Sequence, residues 1–170
     1  MKYLKFIFFL VVINGFSQNE IKEPDPDILY KKFTEAYDEL DADSISELYT
    51  HNASILNLYD SKNPNSINGT DNIKNYFRNF FNYFKKNNRK LQLTFKIINR
   101  KKRDNTFLDN GYYRLEILTT DKSNPVIFGK FSTVIVLENE KWKFSIDAST
   151  DSDFMEYENA GGGLILKRHQ

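Results

Sequence analysis

Residues Gly129–Asp147 read GKFSTVIVLENEKWKFSID, two alternating runs joined at Glu138–Asn139–Glu140 and closing on an acid shortly after the chain's only tryptophan. Phe131, Thr133, Ile135 and Leu137 share one side of the first run, while Trp142, Phe144 and Ile146 share one side of the second. Period-two alternation on both sides of a short polar joint predicts an antiparallel hairpin. Upstream of it, Leu91, Leu93, Phe95 and Ile97 alternate on one strand and Tyr113, Leu115 and Ile117 on the next. The joints Lys101–Asn105 and Asp121–Pro125 are polar and turn-like, so these runs, with Val126–Leu137 and Trp142–Ala148, predict four consecutive meander strands.

Before Asn87 the period is different. Leu29, Phe33, Ala36, Tyr37 and Leu40 recur at three-and-four spacing and predict a helix from Asp27 with Tyr37 on its buried side. Asp41–Asp43 interrupts it. Ser44–Ile45–Ser46–Glu47 is a capping-box pattern that predicts a short second helix to about Tyr49. Ala53, Ile55, Asn57 and Tyr59 alternate with Ser54, Leu56, Leu58 and Asp60 as a first strand, and Ser61–Gly69 is a polar loop. From Thr70, the positions Ile73, Tyr76, Phe77, Phe80, Phe81 and Phe84 predict a third helix with an almost wholly aromatic face. Helices followed by antiparallel strands make an α+β domain, here a curved antiparallel sheet wrapped around three N-terminal helices.

The chain has 170 residues, 40% of them apolar and 15% aromatic, which suits one domain with a substantial core. Lys2 and Lys5, the apolar run Phe6–Ile13 and then Gly15–Phe16–Ser17 read as a cleaved export signal over residues 1–17, placing the mature protein in the periplasm or outside the cell. The apolar run is shorter than the roughly 20 residues that span a bilayer, so no membrane attachment is expected after cleavage. Cleavage removes two lysines and no acids from 24 basic and 23 acidic residues, which leaves a charge of about −1. Near-neutrality gives no reason to expect nucleic acid as a partner. There are no cysteines, so disulfides, thiol nucleophiles and thiolate metal sites are excluded. Residues 18–26, with two prolines, read as a leader, residues 27–153 as the domain, and residues 154–170, with Gly161–Gly163, as a loosely held tail.

The order of elements resembles the nuclear transport factor 2-like superfamily, particularly its SnoaL-like bacterial branch, which includes ketosteroid isomerase. The resemblance runs over residues 27–150 and is carried by Phe33–Tyr37 with Asp41, Leu48–Ala53, Gly69 before Ile73–Phe77, Gly129–Phe131, and Trp142–Phe144 leading to Asp147. It implies a cone-shaped domain with an apolar cavity open at one end, an aspartate or histidine in that cavity in those members that are enzymes, and often a homodimer through the outer sheet face.

Asp147 is the catalytic candidate, because a carboxylate against an apolar wall can serve as a general acid or base. Strict alternation turns it away from the side of Trp142, Phe144 and Ile146, so it enters the cavity only if those three face outward or a bulge intervenes. Otherwise it is a strand-end acid bonding backbone or Ser149. Candidates for lining a ligand pocket are Phe33, Tyr37, Asn57, Tyr59, Phe77, Phe81 and Tyr113, which bring aromatic walls and a few polar tips; each also reads as ordinary core. His51 and His169 lie outside any Asp/Glu/His cluster, so neither a metal nor another cofactor is expected. The basic run Asn99–Arg103 reads as a solvated turn. Three functions remain: binding of a small apolar or amphipathic ligand without chemistry; an isomerase, cyclase or dehydratase using Asp147 or a tyrosine; and a dimeric interaction module.

Overall fold

A computed structural model describes residues 23–59, 64–120 and 123–168, so the expected signal Met1–Ser17 lies outside the described residues. Helix α1 spans Asp27–Glu39 and buries Leu29, Tyr30, Phe33 and Ala36 on one stripe. It ends where Leu40 takes a left-handed conformation, φ 54°. Helix α2 is Ala42–Ser46, one turn earlier than the capping box suggests. Asp41, not Ser44, is its N-cap, with a carboxylate that accepts from the backbone N–H groups of Asp43 and Ser44. Ser44 instead donates its hydroxyl to Asp41 at 2.6 Å. Tyr49 therefore opens a strand rather than closing a helix.

That strand, β1, is Tyr49–Asn57, and it pairs antiparallel with β2, Asn65–Asn68, a short strand within the stretch read as a polar loop. Helix α3, Thr70–Lys86, buries Ile73, Phe77, Phe81 and Phe84 as its spacing predicts. The four meander strands are β3, Lys90–Arg103; β4, Thr106–Leu118; β5, Val126–Glu138; and β6, Lys141–Ser152. The β5–β6 turn places Asn139 and Glu140 both at positive φ, the geometry that matches strand twist in a two-residue hairpin loop. The sheet runs β2-β1-β6-β5-β4-β3-β7, with β1 and β6 parallel and every other neighbour antiparallel. Its inner face packs on α1 through edge-to-face rings, among them Tyr30–Phe95 at 5.1 Å, Tyr30–Phe144 at 5.3 Å and Phe33–Phe144 at 5.6 Å, and meets α3 through the tilted pair Tyr49–Phe77 at 6.3 Å.

Two expectations are corrected. The tail is not loose: Phe154–Asn159 forms α4, capped by Asp153, and Leu164–Lys167 forms β7, paired antiparallel with β3. Leu166 is buried, Tyr157 packs against Phe128 and Tyr112 on the outer sheet face, and Arg168 ion-pairs with Asp38. The unpaired edge of β3 and an apolar patch on β4–β5 supply the partners that composition alone does not reveal. Nor is the basic run wholly a turn. It lies within β3, and Arg100 points inward.

Candidate functional site

One heptad separates two tyrosines on the buried face of α1, and they mark opposite ends of the interior. Tyr30 is fully buried and donates its hydroxyl to Asp109 at 2.9 Å, beside Thr133 at 2.7 Å. Asp109, also fully buried, receives two parallel N–H bonds from Arg100, each 2.9 Å, and Arg100 reaches Asp27 at 2.6 Å. This network ties α1 to β3, β4 and β5 and is completely satisfied. Tyr37, two turns later, faces a cavity instead.

The cavity has a volume of about 380 Å³ and opens at the end of the cone near the β4–β5 connection. Phe33, Tyr37, Tyr76, Phe77 and Phe80 of the helices form one wall, and Leu93, Phe95, Tyr113, Leu115, Ile127 and Phe131 of β3–β5 form the other. Asn57 and Tyr59 close the β1 side, and β6 contributes Asp147, Ser149 and Asp151. Of the pocket residues expected from sequence, only Phe81 lies off the surface, packed behind Tyr37 with ring centres 5.2 Å apart. Another groove, of about 370 Å³, lies between α1, α2 and the β5–β6 turn, but charges of both signs line it and no buried acid or base meets there.

Asp147 reaches the cavity through a bulge. Phe144 pairs with Ile135 and Ile146 with Val134, so Ser145 is an extra residue without an opposite number. The alternation slips by one there. Ile146, which strict alternation groups with Trp142 and Phe144, is 38% exposed, and Asp147 turns to the cavity side, where it meets the buried Tyr49. The outward placement of Asp147 expected from alternation is thereby overturned. Trp142 stays at the closed end, donating its indole N–H to the Pro24 carbonyl at 2.7 Å and packing on Phe107.

Tyr49, buried beneath the cavity floor, donates its hydroxyl to Asp147 Oδ2 at 2.6 Å. Oδ1 has no protein hydrogen bond among the described residues, and the half-buried carboxylate lines the cavity. Burial pushes the Asp147 pKa up, only partly opposed by the Tyr49 bond. Burial and the nearby carboxylate likewise push Tyr49 well above the ordinary phenol value. Tyr37 is raised mainly by burial, then by the phenols of Tyr76 and Tyr113 and by Asp147, and Tyr113 is raised chiefly by burial. Tyr49, Tyr37 and Tyr113 are therefore neutral phenols at physiological pH. Tyr59 and Tyr113 share a hydrogen bond of 2.5 Å, and Tyr59 also donates to Ser149 at 3.1 Å.

Gly129 makes this corner possible. It lies opposite Tyr113 on β5, and a Cβ there would overlap the end of the Tyr113 ring, so the bare backbone is what lets the phenol lie flat across the strand. Sequence reading missed Tyr49, given to a helix, and Asp151, beyond the expected end of the strand. It placed Tyr76 on a buried face without giving it a polar role. Among the described residues no group of histidine, cysteine or acidic side chains is arranged to hold a metal ion.

Solved structures share this architecture. An NTF2-like protein with a cystatin-like fold from Novosphingobium aromaticivorans superposes with a TM-score of 0.63 at 9% identity, covering 79% of this chain and 84% of its own. The fold is that of the NTF2-like proteins. An NTF2-like protein of unknown function from Shewanella oneidensis aligns at TM-score 0.57 with 22% identity, over 74% of this chain and 97% of its own. A ketosteroid isomerase-like protein from Erwinia carotovora aligns at 0.56 with 6% identity, over 75% and 94%. No protein-family model and no curated protein sequence matches the chain. At such identities the NTF2-like cone is what is shared, and chemistry must be argued from the cavity.

Proposed function

We propose that this protein binds one small amphipathic molecule in its cone cavity. The supporting observation is an aromatic chamber of about 380 Å³ with polar atoms left open at one place: Asp147 Oδ1 and the Tyr37 hydroxyl. Pockets of roughly 300–1,000 Å³ take small organic ligands, apolar walls supplying affinity and a few polar groups fixing orientation. The apolar body lies among Phe33, Phe77, Phe80, Phe95 and Phe131. Its polar end meets Asp147 and the phenols. Titration with a hydrophobic dye and a small-molecule panel is expected to give saturable one-to-one binding. Ile127→Trp, at the half-exposed mouth, is expected to abolish it without disturbing the core; absence of saturable binding to the parent protein would overturn the reading.

A second reading is favoured by the bulge. A cavity-facing carboxyl with a raised pKa and one free oxygen is equipped to take a proton from a carbon acid held against the tyrosines, as an isomerase or dehydratase requires. Exchange of deuterium from solvent into bound ketones tests this reading, and exchange that survives Asp147→Asn would exclude Asp147 as the base. Export through residues 1–17 is part of the same proposal and places the binding site outside the cytoplasm.

A further inference from the structure

Two carboxylates point into the interior, Asp109 fully buried and Asp147 half-buried on the cavity wall, and the chain treats them differently. Asp109 is neutralised in full, by two N–H bonds from Arg100 and one hydroxyl from Tyr30. Asp147 receives one hydroxyl bond, from a neutral phenol, and no cation among the described residues. A carboxylate drawn part-way out of water among aromatic rings loses hydration that a cationic partner would replace. The walls do not supply that partner: among the described lining residues there is no lysine, arginine or histidine, whereas Asp151 adds a second carboxylate near the mouth.

The remaining lining suits a positive charge as well. Aromatic π faces attract cations, most strongly where water is excluded. Tyr37 and Tyr113 are held as neutral phenols, whose oxygens accept from N–H groups without bringing a charge of their own. A neutral carbonyl compound would engage Tyr37 but leave Asp147 as uncompensated as before. A carboxylate or phosphate would be repelled by Asp147 and Asp151 together.

We propose that the cavity selects an organic cation, a protonated amine carried on an apolar body, whose N–H groups bond to Asp147 Oδ1 while its body lies among the rings. The proposal deepens the binding reading above and rests on it. The ligand supplies for Asp147 what Arg100 supplies for Asp109.

The test is a charge-matched series on one body: naphthylmethylamine, naphthylmethanol and naphthylacetate, titrated into the mature chain by protein-observed NMR at a pH where the Asp147 carboxyl is ionised. The amine is expected to bind at least about tenfold more tightly than the alcohol, with the acid weakest. In Asp147→Asn, whose side chain still accepts from Tyr49, the amine-over-alcohol preference is expected to disappear. Equal affinities, an acid that binds best, or an amine preference that survives in Asp147→Asn would each overturn the cation assignment. If the dye and the panel bind but the amine is not preferred, the cation falls and the cavity-binding reading stands; if nothing saturates, both fall.

Discussion

Asp147→Asn is expected to stabilise the protein at neutral pH, although it removes the group on which the proposed function rests. In the fold the carboxyl lines the cavity half-buried, accepts one bond from Tyr49 at 2.6 Å and has no cationic partner among the described residues, so its pKa lies above the ordinary carboxylate value, mainly through desolvation. A group whose folded pKa exceeds its unfolded one binds protons more tightly when folded, and its ionisation weakens the fold. The penalty is absent below the unfolded pKa, about 4, grows as pH rises from there to the folded pKa, and is complete above it. Asparagine keeps the acceptor for Tyr49 and places a neutral amide in the position of Oδ1. The gain at pH about 8 is on the order of 1 kcal/mol, the size of a buried polar imbalance, or a Tm rise of about 2–4 °C for a chain of this length. Thermal unfolding of both proteins from pH about 3 to 8 measures it, and the difference is expected to vanish at the acid end. An asparagine variant less stable at pH 8, or a difference that does not change with pH, would refute the reasoning.

Further expectations follow from the closed end, the Gly129 corner and the N-terminus. Arg100→Met strands the fully buried Asp109 and is expected to destabilise by about 3–5 kcal/mol in urea unfolding, while Arg100→Met with Asp109→Leu recovers most of the loss; a single variant within 1 kcal/mol of the parent would show the ion pair to be immaterial. Gly129→Ala forces the Tyr113 ring aside, so it is expected to break the Tyr59–Tyr113 bond, shift the Tyr113 ring resonances and weaken cavity binding, at about 1–3 kcal/mol of stability; unchanged Tyr113 resonances would contradict this. Expressed with its N-terminus in a Gram-negative host, the protein is expected in the periplasmic fraction with its mature chain starting near Gln18, as mass spectrometry would show; a cytoplasmic chain that retains Met1 would refute export.

The architecture was legible because most of its elements obey their periods without interruption. The three-and-four spacing of Ile73, Phe77, Phe81 and Phe84 and the alternation of Leu91, Leu93, Phe95 and Ile97 each describe a face that the structure buries. The cavity walls followed, since rings on a helix and rings on a facing sheet must meet. The one acid on its floor did not. Its orientation depends on a single extra residue, Ser145, and a serine within an alternating run carries no mark of a bulge, which arises from sheet curvature that a single strand does not reveal. Tyr49 reads as helical because the capping box that begins five residues earlier is a strong local signal, yet Asp41 outcompetes Ser44 for the free N–H groups. Arg100 was lost among five polar neighbours, since neither its inward turn nor Asp109 nine residues on stands out from local composition.

Asp147 is a half-buried cavity carboxylate kept open for a ligand. Carboxyl carbon NMR on the aspartate-labelled protein tests it most directly, by following Asp147 against pH with and without naphthylmethylamine. Titration above the ordinary carboxylate range is expected in the free protein, with a return toward that range when the amine is bound. Titration at the ordinary value, unmoved by any ligand, would contradict it.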